Sequence, residues 1–293
     1  MSRWRTRRLP LLCLLPLLAS MVWPWVDAAQ AREQRLRHEA LLTARFLAAA
    51  VDRELLAIEA TLQVLAQGRT LADDDLPTLH REAEAAARAQ IVNNLVLSDR
   101  QGRQRLNTLR PWGSALPERG NPGVLQAVFE TGQPVVTDLF TGPVTGTPLV
   151  AVGVPVLREG QVVYSLSAGV SPDRLGQQLK RSELPEGWIA ALIDGQGRVV
   201  ARSREAARFV GQPAAAALRE RLRTEREGTV DLVTLEGTAV IGAFSPSQRS
   251  RWTVAVGAPD AELRRAALVR TGGLLLGLLA TGWLAWRLGR VSA

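Results

Sequence analysis

Between Leu41 and Leu65, apolar residues recur at Leu41, Ala44, Ala48, Val51, Leu55, Ile58, Leu62 and Leu65, spaced 3,4,3,4,3,4,3. That spacing draws one stripe along an α-helix. It predicts a long helix over residues 29–67, closed by Gly68 as its C′ residue. The stripe admits two partners: a second copy in a parallel dimer stalk, or the chain's own domain. The run Asp73-Asp74-Asp75 then places acids where a helix dipole favours them and predicts a second helix from Leu76 to Ala89.

From Ile91 the apolar period shortens to strands and turns. Asn94 to Asp99 enters the turn Asp99-Arg100-Gln101-Gly102-Arg103, and 95 residues later Ala190 to Ile193 enters Asp194-Gly195-Gln196-Gly197-Arg198. A hairpin follows each turn. In the first, Val150 to Val156 turns at Arg158-Glu159-Gly160 into Gln161 to Val170. In the second, Val240 to Phe244 turns near Ser247 into Trp252 to Val256. The closing segments Gly169-Val170-Ser171-Pro172-Asp173 and Gly257-Ala258-Pro259-Asp260 are offset by 88. Two echoes in the same order predict two copies of one α+β unit. The fold class read from the pattern is therefore α+β, a long N-terminal helix plus two antiparallel-sheet units.

Two uncharged runs flank these units. Leu9 to Val26 follows Arg3, Arg5, Arg7 and Arg8, and is long enough to span a bilayer. It reads as an uncleaved anchor, with cleavage after Val26-Asp27-Ala28 as the alternative. Thr271 to Trp286 reads as a second span, with Arg287 and Arg290 at its cytoplasmic end. The net charge of +8 suggests nucleic acid until it is located. Nine of the 36 basic residues and one of the 28 acidic residues lie outside Ala29 to Leu263, leaving 27 of each within it. The charge is a topology signal, and no nucleic-acid partner is implied. The expected divisions are residues 1–28 (anchor), 29–90 (stalk and second helix), 91–182 (distal unit), 183–263 (proximal unit), 264–290 (second span) and 291–293 (cytoplasmic stub).

Anchor, long helix, duplicated unit and returning helix together resemble the double-Cache, tandem PAS-like extracytoplasmic sensors of bacterial membrane receptors, most of all those of sensor histidine kinases. The segments Leu106-Asn107-Thr108-Leu109-Arg110-Pro111-Trp112-Gly113, Pro134-Val135-Val136-Thr137-Asp138-Leu139-Phe140, and Ala201-Arg202-Ser203 leading to Phe209-Val210-Gly211 carry the likeness. The resemblance implies a ligand-sensing, signal-transducing region with its main part periplasmic and its anchors in the inner membrane. It further implies a homodimer through the N-terminal helix, a small-molecule ligand in the distal unit, and a proximal unit that transmits. The alternatives are a stand-alone membrane-anchored binding or scaffold protein, and the input region of a diguanylate cyclase or a chemoreceptor.

Candidate ligand-binding residues follow from chemistry. Arg110 can grip a carboxylate with two hydrogen bonds and Trp112 can wall a pocket. Amino-acid-sensing members of the family have a related Arg-x-Trp followed by an aromatic, where this chain has Gly113, and a later Asp, for which Asp138 is the counterpart. By the two-residue strand period, Ser165 and Ser167 share one face with Gly169, as a ligand floor or a solvated face. Asn107 is a pocket acceptor or a turn residue, and Arg110 could equally serve a structural ion pair. Arg202, Arg204 and Arg208 read as a solvated charge run and His80 as a surface residue. No nucleophile elbow, zincin helix or Walker loop occurs, and two histidines and one cysteine point to no metal site. Neither an enzyme nor a cofactor protein is expected.

Overall fold

The computed structural model of the chain describes residues 9–88, 92–117 and 123–259, with residues 9–26, 29 and 124 described by backbone alone. The side chains of Leu9 to Val26 and the whole of Thr271 to Trp286 lie outside the described residues, among which no helix is long and apolar enough to cross a membrane.

Helix α1 (Leu9–Ala66) leads into α2 (Arg69–Ala72) and α3 (Leu76–Arg88). Gly68 is not the left-handed C′ residue expected of it. With φ −66° and ψ 149° it is extended, and its carbonyl starts α2. Asp75 caps α3 as its position predicts, accepting from the Thr78 N–H at 3.2 Å.

The first sheet comprises β1 (Asn94–Asp99), β2 (Gln104–Asn107), β3 (Val135–Val136), β4 (Phe140–Thr141), β5 (Pro148–Arg158) and β6 (Gln161–Val170), with α4 (Gly123–Thr131) between β2 and β3. Helix α5 (Pro172–Arg181) follows, started by Ser171 as N-cap and Pro172 at N1. The second sheet comprises β7 (Ile189–Ile193), β8 (Val199–Arg202), β9 (Gly228–Val233), β10 (Ala239–Pro246) and β11 (Thr253–Pro259), with α6 (Ala206–Phe209) and α7 (Ala216–Thr224) inserted after β8. Strand order is β2-β1-β6-β5-β3 in one and β8-β7-β11-β10-β9 in the other, all neighbours antiparallel. The duplicated sequence thus builds one topology twice. The β5–β6 hairpin turns on Glu159 (φ 48°) and Gly160 (φ 78°), the two positive values a type I′ turn requires.

The stripe on α1 packs against its own chain. Ala44, Ala48, Val51, Leu55, Ile58 and Leu62 are buried on the inward faces of β5, β6, β10 and β11, in one core that runs through both sheets. Burying each of the larger side chains is worth about 1.5–3 kcal/mol. A dimer therefore cannot be built on this stripe, because its partner surface is already intramolecular. Ion pairs pin the flanks of α1: Arg37 to Asp231 at 2.7 Å, Arg45 to Glu227 at 2.6 Å, Glu54 to Arg174 at 2.6 Å, and Glu59 to Arg249. Inside the core contact, Asp52 accepts from Ser247 Oγ at 2.5 Å and from the Gln248 N–H at 2.8 Å.

Candidate ligand site

In an antiparallel ladder, directly opposed residues point to the same face. The distal register pairs Asn94 with Gly169, Val96 with Ser167, Ser98 with Ser165, Val96 with Asn107, and Ser98 with Gln104. One face of the distal sheet therefore carries Asn94, Ser98, Gln104, Asn107, Ser165 and Ser167. The other carries Leu95, Leu97, Leu166, Ala168 and Val170 against α1. The polar face is not solvated. Helix α4 and the segment Phe140 to Leu149 cover it, and all six polar residues are buried.

Between the face and its cover lies a cleft of about 30 Å³, with Asn94, Gln104, Asn107 and Ser167 on its floor and Leu125, Phe140, Pro143 and Leu149 among its walls. Burying polar groups is unfavourable unless they are hydrogen-bonded. Asn107 meets this by donating to Gln104 Oε1 at 2.9 Å and accepting from the Leu109 N–H at 3.0 Å, so it is at once a turn residue and a cleft residue. Ser167 donates to the Val96 carbonyl at 3.3 Å. Asn94 Oδ1 and Ser165 Oγ are buried with no hydrogen-bond partner among the described residues. Glycine at 169 makes the Asn94 position possible, since a Cβ there would sit 2.2 Å from Asn94 Oδ1. Glycine at 153 likewise admits α4, whose Leu125 Cδ2 would lie 2.6 Å from a Cβ. Such a face can hydrogen-bond a small polar molecule within apolar walls.

Of the residues expected from sequence, Asn107 and Ser167 line the cleft, and Ser165 lies one pairing further along the same face. Arg110 and Trp112 are exposed on the α3 side of the sheet. There the Arg110 carbonyl accepts from His80 Nε2 at 2.9 Å, and the Trp112 ring meets His80 edge-on at 5.9 Å. His80 is thus buried, contrary to the surface position read from its helix, because this loop folds over α3.

Asp138 is engaged elsewhere. Its carboxylate accepts from the Gly195 N–H at 3.0 Å and pairs with Arg251 at 3.3 Å. Beside it, the Leu139 N–H donates to Asp194 Oδ2 at 3.3 Å, and Arg198 Nη2 donates to the Leu139 carbonyl at 2.5 Å. Asp138 and Leu139 of the distal unit thereby grip the Asp194-to-Arg198 turn of the proximal unit, while the next residues, Phe140 to Thr145, wall the cleft.

Sequence reasoning missed Asn94, Gln104 and Phe140. The two-residue period links Asn94 to Ser98 on one face, a signal that was available. The cover by Phe140 comes only from the fold.

The charge run divides in the proximal unit. Arg204 and Arg208 are exposed, but Arg202 is buried, its guanidinium paired with both oxygens of Glu236 and lying 4.5 Å over the Phe209 ring. Arg202 is the β8 residue opposite Ala191, so it points to the face away from α1, where α6 and the β9–β10 turn cover it. Its hydrogen bonds hold the Glu236 carboxyl below its ordinary value against the opposing effect of burial.

The sequence matches the Cache domain family (dCache_1) over residues 28–267. No curated protein sequence matches the chain. Among solved structures, the extracellular domain named for the histidine kinase rpHK1S-Z16 is similar with a TM-score of 0.62 and 12% identity, covering 81% of this chain and 98% of that one. The ligand-binding domain of the Campylobacter jejuni chemoreceptor Tlp3, in complex with L-valine, aligns with a TM-score of 0.59 and 10% identity over 80% of this chain and 97% of that one. That of the Pseudomonas fluorescens chemoreceptor CtaA, in complex with L-leucine, aligns with a TM-score of 0.58 and 15% identity over 80% and 99%.

Proposed function

Because this chain belongs to the Cache domain family, we propose that it is the extracytoplasmic, ligand-sensing region of a bacterial membrane receptor, most like that of a sensor histidine kinase. The observation that carries the reading is the buried polar face of the distal sheet, where Asn94 Oδ1 lies without a partner in a walled cleft and Ser165 Oγ lies without one further along the same face. Folding this face into the interior serves no packing purpose, since hydroxyls and amides fill it less favourably than valine and leucine. A ligand that hydrogen-bonds there offsets the desolvation.

The proposed site is Asn94, Asn107, Ser165 and Ser167. Arg110, Trp112 and Asp138 stand off it, so a carboxylate grip by Arg110 is not part of the reading. Leu9 to Val26 and Thr271 to Trp286 would hold the region to the membrane. Leu42, Phe46, Leu56 and Val64 are exposed on the side of α1 opposite the buried stripe and provide the surface on which two copies would pair. Ligand binding would shift the Phe140 to Thr145 wall and, through Asp138 and Leu139, the proximal turn. Couplings of this kind are typically ~1–3 kcal/mol.

The test is a calorimetric titration of the full chain in nanodiscs with the common L-amino acids and γ-aminobutyrate. At least one is expected to bind saturably, more than tenfold more weakly to Asn107→Ala/Ser167→Ala, and unchanged to Arg110→Ala. An identified ligand that binds the double variant as tightly as the wild type would remove the cleft from the mechanism.

A further inference from the structure

A wider cavity lies in the proximal unit, the half expected only to transmit. About 70 Å³ of space opens between the β7–β11–β10 face turned away from α1 and the segment Ala214 to Leu218. The register explains the gap. Ala191 opposes Ala255, and Gly257 opposes Gly242, so four small residues lie together on three adjacent strands. Ile189, Ile193, Leu232 and Val240 form the rim, with Ala214, Ala215 and Leu218 as a roof. These side chains belong largely to a second core cluster, separate from the one that holds α1.

The position of the cavity is independent evidence of its use. In the duplicated topology β1 corresponds to β7, β6 to β11 and β5 to β10. Asn94 opposite Gly169 in the distal unit matches Ile189 opposite Gly257, and Ser167 opposite Val96 matches Ala255 opposite Ala191. Asn107, paired with Val96, matches Arg202, paired with Ala191. The cavity therefore occupies the same face, and the same place on it, as the distal cleft, with the polar floor replaced by an apolar one.

We infer that the proximal unit holds a second ligand site, for a small uncharged apolar molecule. The lining sets the class. Arg202 and Thr234 are the only polar side chains around the space among the described residues, and Arg202 is already neutralised by both oxygens of Glu236. An anion would have to displace Glu236, whereas an aliphatic group meets only alanine, glycine, isoleucine, leucine and valine. The Thr234 hydroxyl is already engaged, accepting from the Thr238 N–H at 3.2 Å and hydrogen-bonding the Glu236 carboxylate. An apolar cavity of about 150 Å³ holds benzene, so this one suits about three or four heavy atoms. Close-packed interiors rarely leave such space, and an occupant restores the contacts its lining lacks.

The experiment follows isoleucine, leucine and valine methyl signals of the full chain in lipid nanodiscs during titration with 2-propanol, then with xenon, then with urea as a polar control. The expected result is a saturable shift of the Ile189, Ile193, Leu218 and Leu232 methyls, with those of Leu125 and Leu149 in the distal cleft unmoved. Xenon should compete and urea should not. Ala255→Leu, which fills the floor, should weaken binding at least tenfold, and Ala191→Val serves if Ala255→Leu does not fold. Shifts that rise linearly without saturating, shifts shared by both units, competition by urea, or wild-type affinity in a folded filling variant would each overturn the inference. The distal reading does not depend on the outcome, because its own ligands and variants are different.

Discussion

Replacing Glu236 by alanine is expected to destabilise the fold by about 3–5 kcal/mol, the usual cost of removing one partner from a buried ion pair. The Arg202 side chain is only 4% exposed. Without Glu236 it would be a buried cation left, among the described residues, against the Phe209 ring. The same pair predicts a pH dependence. Because folding lowers the Glu236 pKa, the pair's contribution is fully present above the unfolded value, near 4.5, and is lost as pH falls through the folded one. Urea denaturation followed by fluorescence of the buried Trp188 and Trp252 should show wild-type stability declining in that acidic window, with a flatter profile in Glu236→Gln. Arg202→Met/Glu236→Leu, which removes both charges, should recover most of the loss. A loss below about 1 kcal/mol in Glu236→Ala would mean that water or another group solvates Arg202.

Asp194→Ala is expected to cost about 2–4 kcal/mol, and Asp99→Ala about half as much, although the two aspartates are equivalent in the duplicated sequence. Each closes its own turn. Asp99 accepts from the Gln101 and Arg103 N–H groups, and Asp194 from those of Gln196 and Arg198. Only Asp194 also accepts from another unit, at the Leu139 N–H, and its side chain is wholly buried whereas that of Asp99 is 11% exposed. Removing it leaves more donors buried and frees one side of the grip between the units. Hydrogen exchange should show the Leu139 and Gly195 amides deprotected in Asp194→Ala and unaffected in Asp99→Ala. Equal losses in the two variants would show that the grip contributes nothing to stability.

Much of the architecture was legible because it rests on local periods. The α1 stripe, the β5–β6 hairpin with Glu159 and Gly160 at its turn, and the two Asp-x-Gln-Gly-Arg turns depend on residues within a few positions of one another. The serine face was legible too, since strand alternation assigns Ser165 and Ser167 to one side whatever lies beyond. Helices α4 and α7 were less so. Their short amphipathic runs gain order by covering the two sheets, and few helices of nine residues stand alone.

A period fixes which residues share a face but not what packs against it. From the sequence alone come the duplicated α+β unit, the charge-neutral stretch from Ala29 to Leu263 between basic flanks, and the two faces of every strand. Tertiary structure decided that the α1 stripe meets its own sheets, that the serine face is roofed and therefore a cleft, and that His80 and Arg202 are buried. It also took Asp138 away from the cleft, because its partners Gly195 and Arg251 stand 57 and 113 residues along the chain. Contacts at such separations follow from how two copies of one unit dock through a shared helix. No local spacing encodes that docking.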